Sequence, residues 1–503
     1  MSNSVKPRVI IIGIDGASWN LIKFLVDNND LPTFKHLMEN GAWGPLKSTI
    51  PPVTFPAWES IFSGQNPGEF GVFDFVGVDI KNRKLIINTP NKFRSKPVWS
   101  ILNKYGYKTC MVNIPTSKIN KVKGVIIGGP FSDKNVAYPM RIKTILDKFN
   151  YEFYPKELTK SFMESSKKYP SFNIIKKTIC SRFDIVRYLI KTENPDFVAF
   201  VIFIIDNIQH FYWGEDIVYN TWKLVDYELG KFISEYKDSF IIIVSDHGFT
   251  KLSKIFYISK FLEERELIKY KSVPLSRLTN KISTNKIINY AKKIKIDGIL
   301  LRLFPKKILI RILSNFPTED GGVGVNYLSR IIDWEKSKCI PVNSGIYINC
   351  TDKEKEHLKN SLKSELIKLD GVIRNVYFKE EIYWGKYLEQ APDLIIEPAD
   401  GVRILDRPYS KTIISDEISG GWKGVHTSDG IIILYGNGIK KANINATVYD
   451  IVPTVLYIFG INPPKYMKGR VLRHVIINNN DLYALNLKYK TKKLKYKICR
   501  KLK

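Results

Sequence analysis

RVIIIGIDG, residues 8–16, is a β-branched run that stays apolar at every position until it stops at Asp15 and turns at Gly16. A strand with one wet face alternates apolar and polar residues. An unbroken apolar run therefore reads as a strand covered on both sides, the condition of a mainly parallel sheet between layers of helices. The same sign recurs at KTCMVNIP (108–115), GVIIGGP (124–130), FVAFVIFIID (197–206), SFIIIVSDHG (239–248) and IIILYG (431–436). Helical spacing fills the intervals, at SWNLIKFLVDN (18–28), LPTFKHLMENGA (31–42), 171–192, 216–236 and 447–460. The expected fold class is α/β, a three-layer α/β/α sandwich with a mainly parallel central sheet and an inserted cap.

At 503 residues the chain exceeds a single compact core, so insertions or additional units are expected. Residues 1–258 and 341–475 read as the core, with strand signals at 344–350 and 392–398. Residues 259–340 read as a basic insertion or cap, and 476–503 as a basic tail. The net charge is +29, and it is clustered: twelve Lys or Arg face one acid between Ile268 and Arg311, and nine face none from Lys488 to Lys503. Such blocks suit a solvated surface or an anionic partner. The solvated surface is the first reading; the alternatives are peripheral contact with an anionic membrane through cap and tail, or an electrostatic funnel that draws a phosphorylated substrate toward the cap, with nucleic acid the less favoured partner. Five cysteines form no C-x-x-C pair and no disulfide framework, which points to a reducing cytoplasm. The opening residues lack the pattern of a signal peptide, and no run of 18 or more apolar residues suggests a spanning helix.

Chemistry-bearing residues gather where apolar runs stop. Asp15 ends the first run, a place that suits either a metal ligand or a helix N-cap. Thr54, in STIPPVTFPAWESIFSG, falls at a helix start, where free N–H groups favour an anion and where an ordinary Thr cap also belongs. Asp206 and His210 in DNIQH are four apart, on one face of a helical turn and able to share one metal. Asp246 and His247 in SDHG end the next buried run. His426 stands in GGWKGVHTSDG, whose glycines allow close approach to a metal. These three histidines are half of the six in the chain. The others, His36, His357 and His474, read as surface or packing residues.

In this order the patterns resemble the alkaline phosphatase superfamily, in its type I phosphodiesterase/nucleotide pyrophosphatase branch. IIGIDGASW, GAWGPLKSTIPPVTFPAWESIFSGQNPGEFGVFDF and YDIVPTVLYIFG…MKGRVL carry the likeness. It spans 8–258 and 340–472 and leaves out the basic insertion and tail. The resemblance implies an alkaline phosphatase-like fold and two divalent metal ions, zinc in most members, with manganese or iron admitted by Asp/His ligands. It assigns one ion to Asp15, Thr54, Asp246 and His247, the other to Asp206, His210 and His426. It makes Thr54 the nucleophile of a phospho-threonine intermediate. It also places Phe75 where nucleotide pyrophosphatases have a phosphoryl-binding asparagine. Asp74, Asn113 or the Gly128–Gly129 amides are then candidates for the missing contact. TFPAW lacks the arginine of a sulfatase motif, and a cofactor-independent phosphoglycerate mutase would carry serine at position 54.

The expected activity is two-metal phosphohydrolysis of a phosphodiester or pyrophosphate. The alternatives are a phosphotransferase or phosphomutase with the same site, and a non-catalytic protein that binds anionic lipid or nucleic acid. Phe75, Asn113, Tyr212 and Trp422 are the candidate substrate contacts, for a phosphorylated small molecule or a lipid-linked phosphate.

Overall fold

The computed structural model describes residues 6–132, 136–153, 155, 170–271, 325–408, 410–418 and 421–477, with parts of 481–494. The apolar runs form strands of one ten-stranded sheet. Its strands are β1 (Val9–Ile14), β2 (Ala42–Lys47), β3 (Thr109–Ile114), β4 (Gly124–Gly128), β5 (Ala137–Tyr138), β6 (Phe197–Ile202), β7 (Phe240–Val244), β8 (Asp429–Tyr435), β9 (Ala442–Asn443) and β10 (Ala446–Thr447). Their order is β9-β2-β8-β7-β1-β6-β3-β4-β5, with β10 also on β2. The run from β7 to β4 is parallel, whereas β8 is antiparallel to both β7 and β2.

Alternate residues of β1 point to opposite faces. Ile10, Ile12 and Ile14 join one apolar core, with helices α2 (Phe172–Glu193) and α4 (Asp216–Glu235). Val9 and Ile11 join the other, with α1 (Thr54–Ser63) and α5 (Ile451–Ile458). Both faces of the sheet are covered, and the run has no place for a polar residue. Ile11 is wholly buried, so Ile11→Ala would cost about 2–5 kcal/mol.

The strand signals at 344–350 and 392–398 correspond to Gly345–Ile348 and Leu394–Pro398, but neither joins the central sheet. With Cys339–Val342 and Ile373–Phe378 they make a separate four-stranded antiparallel sheet. This sheet shares its own core with helices Ile258–Glu264 and Asp352–Leu366. The stretch 341–398 thus forms a second module together with part of the 259–340 segment. Runs of four or five apolar residues reveal a strand but not the sheet it joins. Most of the basic insertion, 272–324, lies outside the described residues, as does 495–503 of the tail. Within the described tail, Tyr489 and Lys493 both reach the Asp196 carboxylate beside β6. No helix among the described residues is long and apolar enough to cross a membrane.

Candidate active site

Because β7, β1 and β6 are neighbours in parallel, the chain leaves their carboxyl ends side by side, where loops of an open α/β sheet build sites. Asp15 follows β1, and Asp246 and His247 follow β7. Asp206 lies in the first turn of α3 (Ile204–Tyr212), just after β6, with His210 one turn on. His426 arrives on a short strand, Gly424–Thr427, that pairs with Gly248–Lys251 and sets His426 opposite Phe249. Thr54 is the first residue of α1. Residues separated by four hundred positions in sequence thereby meet.

The distances form one cluster. His247 Nε2 lies 3.1 Å from Asp246 Oδ2, 3.6 Å from Asp15 Oδ1 and 3.4 Å from Thr54 Oγ1. Asp206 Oδ1 lies 3.3 Å from His210 Nε2 and 3.1 Å from His426 Nε2, and those two nitrogens are 2.9 Å apart. The rings of His247 and His426 stack with centroids 3.5 Å apart. Two sets of three ligand atoms lie close enough to share an ion: Asp15, Asp246 and His247, and Asp206, His247 and His426. His247 belongs to both.

Each of the three imidazoles turns the same way. Nδ1 faces a backbone carbonyl: Gly424 O at 3.0 Å for His210, Gly248 O at 3.2 Å for His247, and Pro52 O at 3.0 Å for His426. A carbonyl only accepts, so Nδ1 carries the proton and every Nε2 presents a lone pair to the centre. His210 Nε2 and His426 Nε2 then face each other as two acceptors. Asp15 Oδ1 and Asp246 Oδ2 are likewise buried without a hydrogen-bond partner among the described residues. Burial, then the charges of Asp246 and Asp206, push the Asp15 carboxyl well above the usual range, and burial and Asp206 do the same to Asp246. Burial, with His426 beside it, keeps His247 neutral. Buried acceptors without a donor call for a cation. Carboxylate and imidazole donors without thiolate fit two divalent ions such as zinc, manganese or iron.

The candidate substrate residues lie in different surroundings. Phe75 is half-buried, its ring 4.3 Å from that of Phe55, the residue after Thr54. Trp422 lies against the His210 ring at 3.9 Å and carries the Arg403 guanidinium at 3.5 Å. Tyr212 is buried in the apolar core. Asn113 is buried, with its amide on Val201 O at 2.8 Å. The amides of Gly128 and Gly129 are spent on Val136 O and Ser132 Oγ, and Asp74 accepts from Asn343 Nδ2.

Four supporting groups escape a reading by residue type. Trp58 donates its indole N–H to Asp15 Oδ2 at 2.8 Å. Ser245 Oγ donates to His247 O at 2.7 Å and accepts from Ala17 N at 2.8 Å. Ser48 Oγ holds Asp246 O, and Gln209 Nε2 donates to Gly16 O at 2.7 Å. Ser245 and Gln209 sit inside SDHG and DNIQH, so adjacency to a ligand was the available signal. Trp58 and Ser48 carried none beyond proximity to the Thr54 segment.

The model of the type I phosphodiesterase / nucleotide pyrophosphatase family matches residues 9–426. No curated protein matches the chain in sequence. Among solved structures, phosphonoacetate hydrolase from Sinorhizobium meliloti 1021, in complex with phosphonoacetate, aligns with TM-score 0.56 and 13% identity, over 89% of this chain and 94% of that one. Murine ectonucleotide pyrophosphatase / phosphodiesterase 5 aligns with TM-score 0.51 and 12% identity, over 93% of this chain and 100% of that one. Its inactive form with AMP gives TM-score 0.50 and 13% identity, over 91% and 96%. At such identities the likeness is one of fold, a large mostly parallel sheet between helices.

Proposed function

Because the chain belongs to the type I phosphodiesterase / nucleotide pyrophosphatase family, a family of phosphoester hydrolases, we propose that it cleaves phosphodiester or pyrophosphate bonds through a phospho-threonine at Thr54. What carries this reading is the convergence of three Nε2 lone pairs and three buried carboxylates beside the Thr54 hydroxyl. Asp15, Asp246 and His247, together with Thr54, would hold one divalent ion; Asp206, His210 and His426 would hold the other. A zinc pair, or manganese or iron, would supply the positive charge that activates a poor nucleophile and offsets charge building on the phosphoryl group.

The chain's own groups do the remaining work. Thr54 Oγ1 attacks phosphorus, the Thr54 O–P bond forms, and the P–O bond to the leaving group breaks. Water then cleaves the phospho-threonine ester and restores the hydroxyl. Thr54 opens α1, so the helix N-terminus favours the incoming anion. Phe75 and Phe131, both half-buried, pack on the buried Phe55 that follows Thr54 in sequence, and Trp422 lies against His210. These surfaces suit an organic substituent on the phosphate. AMP in the murine structure and phosphonoacetate in the bacterial one are small anions of the corresponding kind, which supports a phosphorylated small molecule as substrate.

Hydrolysis of bis-p-nitrophenyl phosphate beside p-nitrophenyl phosphate, with zinc or manganese, tests the reading. Expected is a metal-dependent diesterase rate that Thr54→Ala lowers by about a thousandfold or more, as removal of a nucleophile does. A Thr54→Ala rate equal to wild type refutes the phospho-threonine. Silence on both substrates with two ions bound assigns the site to phosphotransfer and its own acceptor.

A further inference from the structure

We infer that Gln209 is a positioning residue that locks the two halves of the centre in register, an inference that rests on the two-ion reading above. Gln209 sits on α3 between Asp206 and His210 and is wholly buried. A buried side-chain amide needs partners of defined polarity, and both of its ends are committed. Trp222 on α4 donates its indole N–H to Gln209 Oε1 at 3.1 Å. Gln209 Nε2 donates to Gly16 O at 2.7 Å. The indole can only donate and the carbonyl can only accept, so the amide has one orientation: reversed, it would set donor against donor and acceptor against acceptor.

The far side of this bond is the turn after β1. Gly16 adopts φ +72°, and its N–H points at Asp246 Oδ1 at 3.4 Å. A relay thus runs from Trp222 through Gln209 and Gly16 to Asp246. It ties α3, which bears Asp206 and His210, to the turn that bears Asp15. A Cβ on Gly16 would lie 3.0 Å from Gln209 Nε2, so the two elements are already in contact. The same helix is stitched on its other side to the His426 segment, by His210 Nδ1 on Gly424 O and by Lys423 N–H on His210 O. A Cβ on Gly424 would meet Gln209 O at 2.6 Å. Gln209 is therefore the side chain through which α3 meets the Asp15 turn while its backbone abuts the His426 strand. Without it, the spacing between the ligand sets Asp15/Asp246/His247 and Asp206/His210/His426 loses a fixed reference.

Gln209→Met keeps the length and removes both hydrogen bonds. Trp222→Phe frees the amide without touching any ligand. Mn²⁺ binding to the full-length protein, followed by EPR, reads affinity for each ion and the coupling between two bound ions. A merely structural role would leave the coupling unchanged. Expected for both variants is binding weakened by up to about tenfold, the low end of what loss of an outer partner costs, because Gln209 reaches Asp246 through Gly16, and an altered Mn–Mn coupling signal. Gln209→Asn, which cannot span both partners, should resemble Gln209→Met. Wild-type affinity and coupling in Gln209→Met, with only a lower melting temperature, overturns the inference. If Gln209→Met does not fold, the same readings on Trp222→Phe decide. A wild-type protein that binds no Mn²⁺ or Zn²⁺ would instead sink the two-ion reading itself.

Discussion

Asp246→Asn is expected to make the metal-free protein more stable than wild type while abolishing most of the stabilisation that metal confers. Asp246 is wholly buried; Oδ1 accepts the Gly16 N–H at 3.4 Å, but Oδ2 has no hydrogen-bond partner among the described residues. Asparagine keeps the acceptor for Gly16 and is neutral at a position where burial and Asp206 disfavour a charge. Relief of one unsatisfied buried acceptor is worth about 1–3 kcal/mol. In the loaded protein the carboxylate is a ligand. With free metal a thousandfold above Kd, one ion stabilises by about 4.1 kcal/mol; a hundredfold loss of affinity leaves about 1.4 kcal/mol. Calorimetric melting in EDTA and in excess zinc measures both effects. The variant should melt above wild type in EDTA and gain little from zinc. A variant that melts below wild type in EDTA, or that keeps the full zinc increment, refutes the reasoning that these carboxylates are held together against their own repulsion.

Three further outcomes follow from the geometry. His247 holds the first ion in the proposed assignment and also lies within reach of Asp206 and His426, so His247→Ala should lose the first ion and weaken the second, whereas His210→Ala should weaken the second alone; elemental analysis of dialysed protein distinguishes them. Gly13→Ala would place a methyl 2.4 Å from the Trp58 ring, which donates to Asp15 Oδ2. Overpacking of this kind costs about 1–3 kcal/mol, and the diesterase rate should fall with no ligand altered; an unchanged rate would show that Trp58 does not set Asp15. Burial, opposed by hydrogen bonds and abetted by Asp406, raises the Asp74 pKa from 3.8 to about 7. The folded chain then holds a proton that the unfolded chain releases, so stability falls as pH rises through that window. Asp74→Asn should raise the melting temperature at about pH 8 and not at about pH 4, and an equal shift at both would contradict this.

Much of the site was legible because sheet physics ties it to sequence. Apolar runs ending in Asp15, Asp206 and Asp246 became β1, β6 and β7, and an i,i+4 pair on a helix brought His210 to Asp206. Strand order was not legible, since every inner strand looks alike when both faces are buried. Nor was the second sheet, whose short runs resemble those of the first. Side-chain roles were harder still: Tyr212 at the end of α3 looks like a pocket residue, yet its ring lies in the core. Gln209 is held by two hydrogen bonds and Trp58 by one, which leave no periodic trace.

The antiparallel strand β8 has a consequence for synthesis. Among the described residues β2 pairs with no strand but β8, β9 and β10, all of which are translated long after it. At about 5–20 residues per second, the roughly 380 residues between β2 and β8 keep it waiting about 20–80 seconds on the ribosome. During that interval β7 also presents an unpaired apolar edge, and His426 has not yet emerged. A nascent or truncated chain therefore leaves the apolar edges of β2 and β7 without the strand that covers them until its last sixth is made.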